Sequence, residues 1–350
     1  MTTVQVQELK NITTPDVPEQ AGKILAQFAG YVGFKTIEMG LVNGLLESLA
    51  ENPEGLSVDE LAIATGTESF YTGVWAKAAY GASVLELNSE GKYVLAPHMD
   101  KLLLNAEFPG YVGGIINVFK QPEMFDSFNA NLPTGKRTWW NEVSPEFIQG
   151  VSGTGAPFYN RLILGGLAQV PGLVEKLESG ASVLELASGA GRGLVKLASQ
   201  YPKVSITGLD GDAHSISLAE KRVDDAGLSD RVEYLQSTLE DLNEREKYDF
   251  AFINISMHEA RDIDLVAKNV LDALKPGGVF VISDFPFPDD HEGLRSVPAQ
   301  IMNGIQYFEA QIDDQLVSTN TFVKLLEDQG FKEVDSFLLS PVHNVIYGTK

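Results

Sequence analysis

The residues best placed to do chemistry in this sequence stand where short apolar runs stop. In SVLELASGAGRG, Ser182 to Gly193, the run Val183, Leu184, Leu186 reads as a buried parallel strand and ends in Ala187, Ser188, Gly189, Ala190 and Gly191. Leu194, Val195, Leu197 and Ala198 then recur at helical spacing. Strand, glycine turn and helix bring backbone N–H groups and a helix N-terminus up to a ligand, because glycine has no side chain to hold it away. The spacing GxGxG (Gly189, Gly191, Gly193) differs from the GxGxxG of dinucleotide folds, and Glu185 lies just before the turn. A carboxylate there repels a pyrophosphate and suits the ammonium of an amino-acid ligand.

Three more runs end in polar groups. Val204 to Leu209 leads into Asp210 and Gly211, about 20 positions past the turn, and a carboxylate at a strand tip can accept both hydroxyls of a ribose. Asp212 reads either as a second contact or as the N-cap of the helix that follows. Val232 to Leu235 leads into Ser237, Thr238 and Leu239; Tyr248 to Ile255 carries Asn254 to the same edge, followed by Ser256, Met257, His258 and Glu259. In a doubly wound sheet the loops at the strand C-termini form the ligand crevice, which makes His258 a candidate general base. The other reading is a histidine that caps the helix near Asp262 or bonds a backbone carbonyl.

These segments together resemble the class I S-adenosyl-L-methionine (SAM) dependent methyltransferases, whose first motif is E/DxGxGxG. Glu185 matches the acid, and Gly189 and Gly191 match the second and third glycines, while Ala187 stands in place of the first. Lys275, Pro276, Gly277 and Gly278 before the apolar run VFVISDF are a further mark of that sheet. The resemblance implies an α/β protein with a Rossmann-like, seven-stranded doubly wound sheet, SAM as cofactor and no metal. It places SAM against Glu185, Ala187, Ser188, Gly189, Gly191, Asp210, Gly211, Ser237, Thr238, Leu239 and Asn254. Thr238 occupies the place of an acid that accepts the adenine amino group in the family, so a hydroxyl or backbone group takes over that contact. Plant-type O-methyltransferases carry His-Asp-Trp where this chain has His258, Glu259 and Ala260, with the histidine as base. The implied reaction is methyl transfer to a small molecule, at an oxygen of a phenol or carboxylate, with His258 and Glu259 catalytic.

The elements that position these groups follow from periodicity. Residues 1–20 read as a polar arm interrupted by Pro15 and Pro18. Apolar positions from Ile24 to Leu49 recur at helical spacing over Ala21 to Ala50, and Ser57 with Glu60 forms a capping box. A helix over Glu68 to Gly81 and a hairpin, Val84 to Leu87 and Lys92 to Leu95, complete a winged helix over residues 21–104. Duplex binding needs Lys or Arg on the recognition helix, and this one offers Lys77 alone, beside aromatic residues. The resemblance gives the domain instead a role in homodimer formation. Helical connectors over 105–180 wall the acceptor site, with Trp140, Phe158 and Tyr159 as candidate contacts. The catalytic domain occupies 181–350, and a helix carrying Met302, Asn303 and Tyr307 lies where a substrate cap belongs.

Composition sets the outer bounds. A chain of 350 residues is long enough for two cores, and a formal net charge of −22 disfavours nucleic acid and anionic membranes as partners. The absence of cysteine excludes disulfides, thiolate nucleophiles and thiolate metal sites. No apolar run is long enough to span a bilayer and the first residues lack a signal-peptide pattern, so a cytoplasmic protein is expected. Two other readings stay open: a winged-helix transcriptional regulator with a SAM-binding domain, and a methyltransferase-like protein that has lost catalysis.

Overall fold

Residues 16–138 and 142–350 are described by a computed structural model, and they form two compact units, one ending at Asp100 and one running from Lys101 to Lys350. The first unit holds α1 (Val17–Val42), α2 (Leu45–Glu51), α3 (Val58–Thr65) and α4 (Ser69–Gly81), then the strands β1 (Leu85–Leu87) and β2 (Tyr93–Leu95). The Asp16 side chain accepts from the Glu19 N–H at 2.8 Å, and Pro18 lies in the first turn, where its missing N–H costs nothing. Residues 17–20 are therefore helical and not part of an irregular arm; residues 1–15 of that arm lie outside the described residues. The single helix expected over 21–50 is two, broken at Asn43 and Gly44, where Gly44 takes a left-handed φ of 69°. The capping box of Ser57 and Glu60 opens α3, and the Glu68 side chain caps α4. Leu46, Leu49, Leu61 and Leu85 form the core of this unit, and Trp75 Nε1 donates to the Thr36 carbonyl at 2.9 Å.

After α5 (Met99–Leu103), the second unit begins with α6 (Gly113–Phe119), α7 (Asp126–Asn131), α8 (Pro145–Arg161) and α9 (Leu173–Gly180). Strands and helices then alternate: β3 (Ser182–Leu186), α10 (Arg192–Gln200), β4 (Ser205–Asp210), α11 (Ala213–Asp225), β5 (Val232–Gln236), β6 (Tyr248–Asn254), α12 (Ile263–Ala273) and β7 (Leu274–Asp284). The chain closes with α13 (Val297–Glu309), α14 (Thr319–Gln329), β8 (Lys332–Ser340) and β9 (His343–Thr349). The seven strands lie in the order β5-β4-β3-β6-β7-β9-β8, parallel except for β9, which runs antiparallel to both neighbours.

Each inner strand is apolar on both faces, which is why it reads as a continuous apolar run. Val183, Phe250, Phe252, Val279 and Val281 pack with α9 and α10 on one side; Leu184, Leu186, Ala251, Ile253, Phe280 and Ile282 pack with α12 and α14 on the other. The segment Lys275 to Gly278, which precedes the apolar run, lies within β7 itself. Pairing with β6 stops after Tyr248↔Leu274 and resumes at Phe250↔Val279, so those four residues bulge from within β7, with Gly277 at φ 76°. Chain order reverses beside β3, and the tips of β3, β4, β6 and β7 carry Ala187, Asp210, Asn254 and Asp284 at that reversal.

Candidate active site

The turn after β3 is wound tightly: Ala187, Gly189 and Gly191 all have positive φ, 50°, 50° and 76°. Asp210 holds it from the next strand, one carboxylate oxygen accepting from the Gly189 N–H at 2.8 Å and the other from the Asp212 N–H at 2.9 Å. Asp212 itself accepts from the His214 and Ser215 N–H groups, so it is the N-cap of α11. Ser188 is buried with its Oγ close to Gly208 and without a hydrogen-bond partner among the described residues.

Glu185 is fully buried, and the Tyr159 hydroxyl donates to its Oε1 at 2.8 Å. A Cβ at Gly193 would come within 2.1 Å of that oxygen, so the third position of the GxGxG pattern makes room for the acid. Burial pushes the Glu185 carboxyl up to about 8, against the Tyr159 hydrogen bond and with help from the Asp210 charge. Its Oε2 has no hydrogen-bond partner among the described residues, and neither does Asn254 Nδ2, whose amide lies beside the Tyr159 hydroxyl.

A buried chain fixes the Asn254 amide. Arg161 Nε donates to His343 Nδ1 at 3.0 Å, which leaves the imidazole proton on Nε2 to donate to Ser283 Oγ at 2.7 Å; Ser283 then donates to Asn254 Oδ1 at 2.8 Å. Burial, then the Arg161 charge, holds His343 well below the usual imidazole range, which keeps the ring neutral as this chain requires. Nδ2 of Asn254 is thereby left as a donor for a ligand. Glu185, Tyr159 and Asn254 together offer an acceptor and a donor in a dry site, which fits the ammonium and carboxylate of an amino-acid ligand such as the methionyl end of SAM.

Further along the rim, His258 is buried and its Nδ1 lies 2.9 and 3.0 Å from the two oxygens of Asp284. It bonds a carboxylate and does not cap the helix near Asp262. Its Nε2 is 4.0 Å from Glu309 Oε2. Burial, the largest single influence, works against the imidazolium, but Asp284, Glu309 and Glu259 together outweigh it and raise His258 to about 10. Burial raises Glu259 to about 7 and Glu309 to about 8. One ligand atom from each of His258, Glu259 and Glu309 lies within 4.8 Å of the others, close enough to share one cation.

The remaining expected contacts are scattered. The Asp210 carboxylate accepts from the backbone N–H groups of Gly189 and Asp212, so a ribose would join existing bonds. Ser237 donates its N–H to the Asp210 carbonyl, Gly211 is exposed, and Leu239 packs against the α12 layer. Thr238 is exposed and closes a turn, donating to Asp241 Oδ2 and accepting from the Asp241 N–H. Phe158 is buried against Phe285 and Met302 beside His258, and the Arg161 guanidinium lies over its ring. Tyr159, one residue on, faces Glu185 on the cofactor side and not the acceptor side, because adjacent helix positions differ by about 100°. Met302 and Glu309, two turns apart on α13, share the inward face; Tyr307 is exposed and packs against Phe125 and Phe128. Asn303 is half-buried one position off that inward face. Trp140 lies outside the described residues. Sequence reasoning missed Asp284, Glu309 and the Arg161–His343–Ser283 chain.

The comparisons agree with this geometry. Residues 177–330 match a family model described as a methyltransferase domain. The fatty-acid O-methyltransferase of Mycolicibacterium smegmatis (strain ATCC 700084 / mc(2)155) is 30% identical over 129 residues, 35% of this chain and 46% of that protein. The malonyl-[acyl-carrier protein] O-methyltransferase of Priestia megaterium (strain DSM 319 / IMG 1521) is 29% identical over 104 residues, 30% of this chain and 36% of that protein. The chain thus spans less than half the length of either curated relative. Among solved structures, apo SibL, a SAM-dependent methyltransferase, superposes with a TM-score of 0.74 at 18% identity over 94% of this chain and 98% of that one. Human N-acetylserotonin methyltransferase bound to SAM gives 0.71 at 14% identity over 96% and 99%. The fold is that of the class I methyltransferases.

Proposed function

We propose that this protein transfers a methyl group from SAM to an oxygen of a small-molecule acceptor, a phenol or a carboxylate, with His258 receiving the hydroxyl proton when the acceptor is a phenol. The observation that carries the cofactor assignment is the pair of buried, unpartnered atoms Glu185 Oε2 and Asn254 Nδ2 at neighbouring strand tips. A buried acceptor and a buried donor left open are costly unless a ligand completes them. Glu185 takes the ammonium of SAM, Asn254 its carboxylate, and Asp210 its ribose hydroxyls; the Gly189–Gly191 turn lets the backbone approach.

SAM supplies an electrophilic methyl on a sulfonium. The protein aligns the acceptor with it and removes one proton. Alignment contributes up to roughly 7–11 kcal/mol and a positioned base about a hundredfold to ten-thousandfold in rate, so the cradle outweighs the base. Asp284 orients the imidazole by holding Nδ1, which leaves Nε2 for the acceptor. Phe158, Phe285 and Met302 form the apolar side of the acceptor site. Glu259, whose carboxyl is raised to about 7, sits within the same cluster and can hold the released proton.

The first unit is read as a winged helix that pairs with a second copy of the chain. Leu25, Phe28 and Tyr31 on α1, with Phe70 and Tyr71 on α4, are each more than 60% exposed, an apolar surface unusual for a monomer. Among the described residues no helix is long and apolar enough to cross a membrane.

The test is methyl transfer from labelled SAM to acceptors in a small-molecule extract, with His258→Ala beside the wild type. Label in a low-mass product, lost by at least about a hundredfold in the variant while S-adenosylhomocysteine still binds, supports the assignment. Binding without any transfer would instead identify a methyltransferase fold that has lost catalysis.

A further inference from the structure

Resting on the methyl-transfer reading and narrowing its acceptor to the phenol, we propose that the acceptor carries a cationic amine, seated on Glu309 and Glu259 beside His258, and that acceptors bearing a carboxylate are rejected. The seat is defined by Glu309, only 6% exposed, whose Oε2 has no hydrogen-bond partner among the described residues and lies 4.0 Å from His258 Nε2. Buried carboxylates are stable as charges only when paired.

The groups facing this point are overwhelmingly acidic. Asp284 comes from β7, Glu259 from the loop after β6, Glu309 from α13 and Asp314 from the turn beyond it. His258 answers all of them, and Asp284 already holds its Nδ1 with both oxygens. Arg261 is the other cation within reach, and it acts on Asp314. His258 and, at Asp314, Arg261 are set against these four carboxyl groups, and burial raises Glu259 and Glu309 in spite of the His258 charge.

An ammonium answers that shortage with up to three N–H donors, and the orphaned Glu309 Oε2 is the acceptor waiting for one. The apolar neighbours Phe158, Phe285 and Met302 suit the body of an aromatic acceptor. Seating a cation there also stabilises neutral His258, so the acceptor's own amine frees the base that takes the proton from its hydroxyl. A carboxylate brought to the same place would face Asp284 and the acidic side chains of Glu259 and Glu309 with no added cation to hold it.

The test measures binding to the full chain saturated with S-adenosylhomocysteine, by calorimetry, in buffer containing chelator. Three phenols of one shape are compared: tyramine, 4-ethylphenol and 3-(4-hydroxyphenyl)propanoate. Tyramine should bind at least about tenfold more tightly than 4-ethylphenol, and the propanoate more weakly than both. Glu309→Gln should erase the tyramine preference while keeping the melting temperature and the affinity for S-adenosylhomocysteine. Equal affinities, no tyramine binding, or a preference that survives Glu309→Gln overturns the proposal. So does tight binding of zinc or magnesium that excludes tyramine once chelator is removed, which would make the cluster a metal centre. Failure of S-adenosylhomocysteine to bind at all is a different result and removes the methyl-transfer reading itself.

Discussion

The imidazole of His258 and the carboxylate of Asp284 meet at 2.9 and 3.0 Å, both side chains almost fully buried. Asp284 does two things at once: it aims Nε2 of the ring away from itself, and it stabilises the imidazolium. With Asp284, Glu309 and Glu259 outweighing the cost of burial, His258 is raised to about 10. The form that can accept a proton is thus the minor one at neutral pH.

Turnover on a neutral acceptor should therefore rise with pH well past the usual histidine range near 6.5, along an acid limb set by loss of the His258 proton. Asp284→Asn removes the charge that raises the ring and should move this limb to lower pH, with maximal turnover falling about tenfold or more as the ring loses its orientation. A pH–rate profile of both proteins checks this. A wild-type limb at 6.5, or a limb indifferent to Asp284→Asn, removes the pair from the mechanism.

Glu185 makes cofactor binding a proton-linked event. Its carboxyl, at about 8 when buried and empty, is mostly protonated at pH 7 and must ionise to receive an ammonium. Titration with S-adenosylhomocysteine at pH 7 should release a fraction of one proton, seen as a calorimetric enthalpy that varies with the ionisation enthalpy of the buffer. Glu185→Gln should abolish that variation and weaken binding by about tenfold or more. The sign for the empty protein follows from the same shift. Because the folded value is raised, the contribution of Glu185 to stability is complete below its unfolded value near 4.3 and is lost as pH rises through about 8.

Ala187 holds a φ of 50° where an L side chain is strained. Ala187→Gly should relieve that strain and raise stability by up to about 1 kcal/mol, less the extra freedom glycine gives the unfolded chain. Denaturant melts of the two proteins measure it, and a variant less stable than the wild type contradicts the strain.

The exposed apolar face of the first unit predicts a dimer. Phe28→Glu, at a position 63% exposed on α1, should convert the protein to monomer in light scattering without lowering its melting point in the monomer range. A wild-type monomer across accessible concentrations would contradict the pairing.

The α/β core was legible because each strand is short, apolar on both faces and cut off by residues with one geometric role: Gly189 and Gly191 for left-handed turns, Asp210 for a strand tip. The capping box at Ser57 was legible for a similar reason, since its two partners are three residues apart. What stayed hidden is long-range. Asp284 ends a strand just as Asp210 does, and the rule applied to one could have found the other. Glu309 gave no local signal beyond sharing a helix face with Met302, and its meeting with His258 exists only once α13 has folded over the sheet. Arg161, His343 and Ser283 come from α8, β9 and β7, so their chain to Asn254 could not be read from spacing. Tyr307 stands out by its position on α13, but its helical rotation from Met302 and Glu309 turns it toward Phe125 and Phe128, which spacing alone does not show.

The most direct measurement is a calorimetric titration of the purified chain with S-adenosylhomocysteine, run beside NAD. Saturable binding of S-adenosylhomocysteine with proton release, and none of NAD, is the result expected of the Glu185–Tyr159–Asn254 cradle. No binding of S-adenosylhomocysteine, or tight binding of NAD, would contradict it.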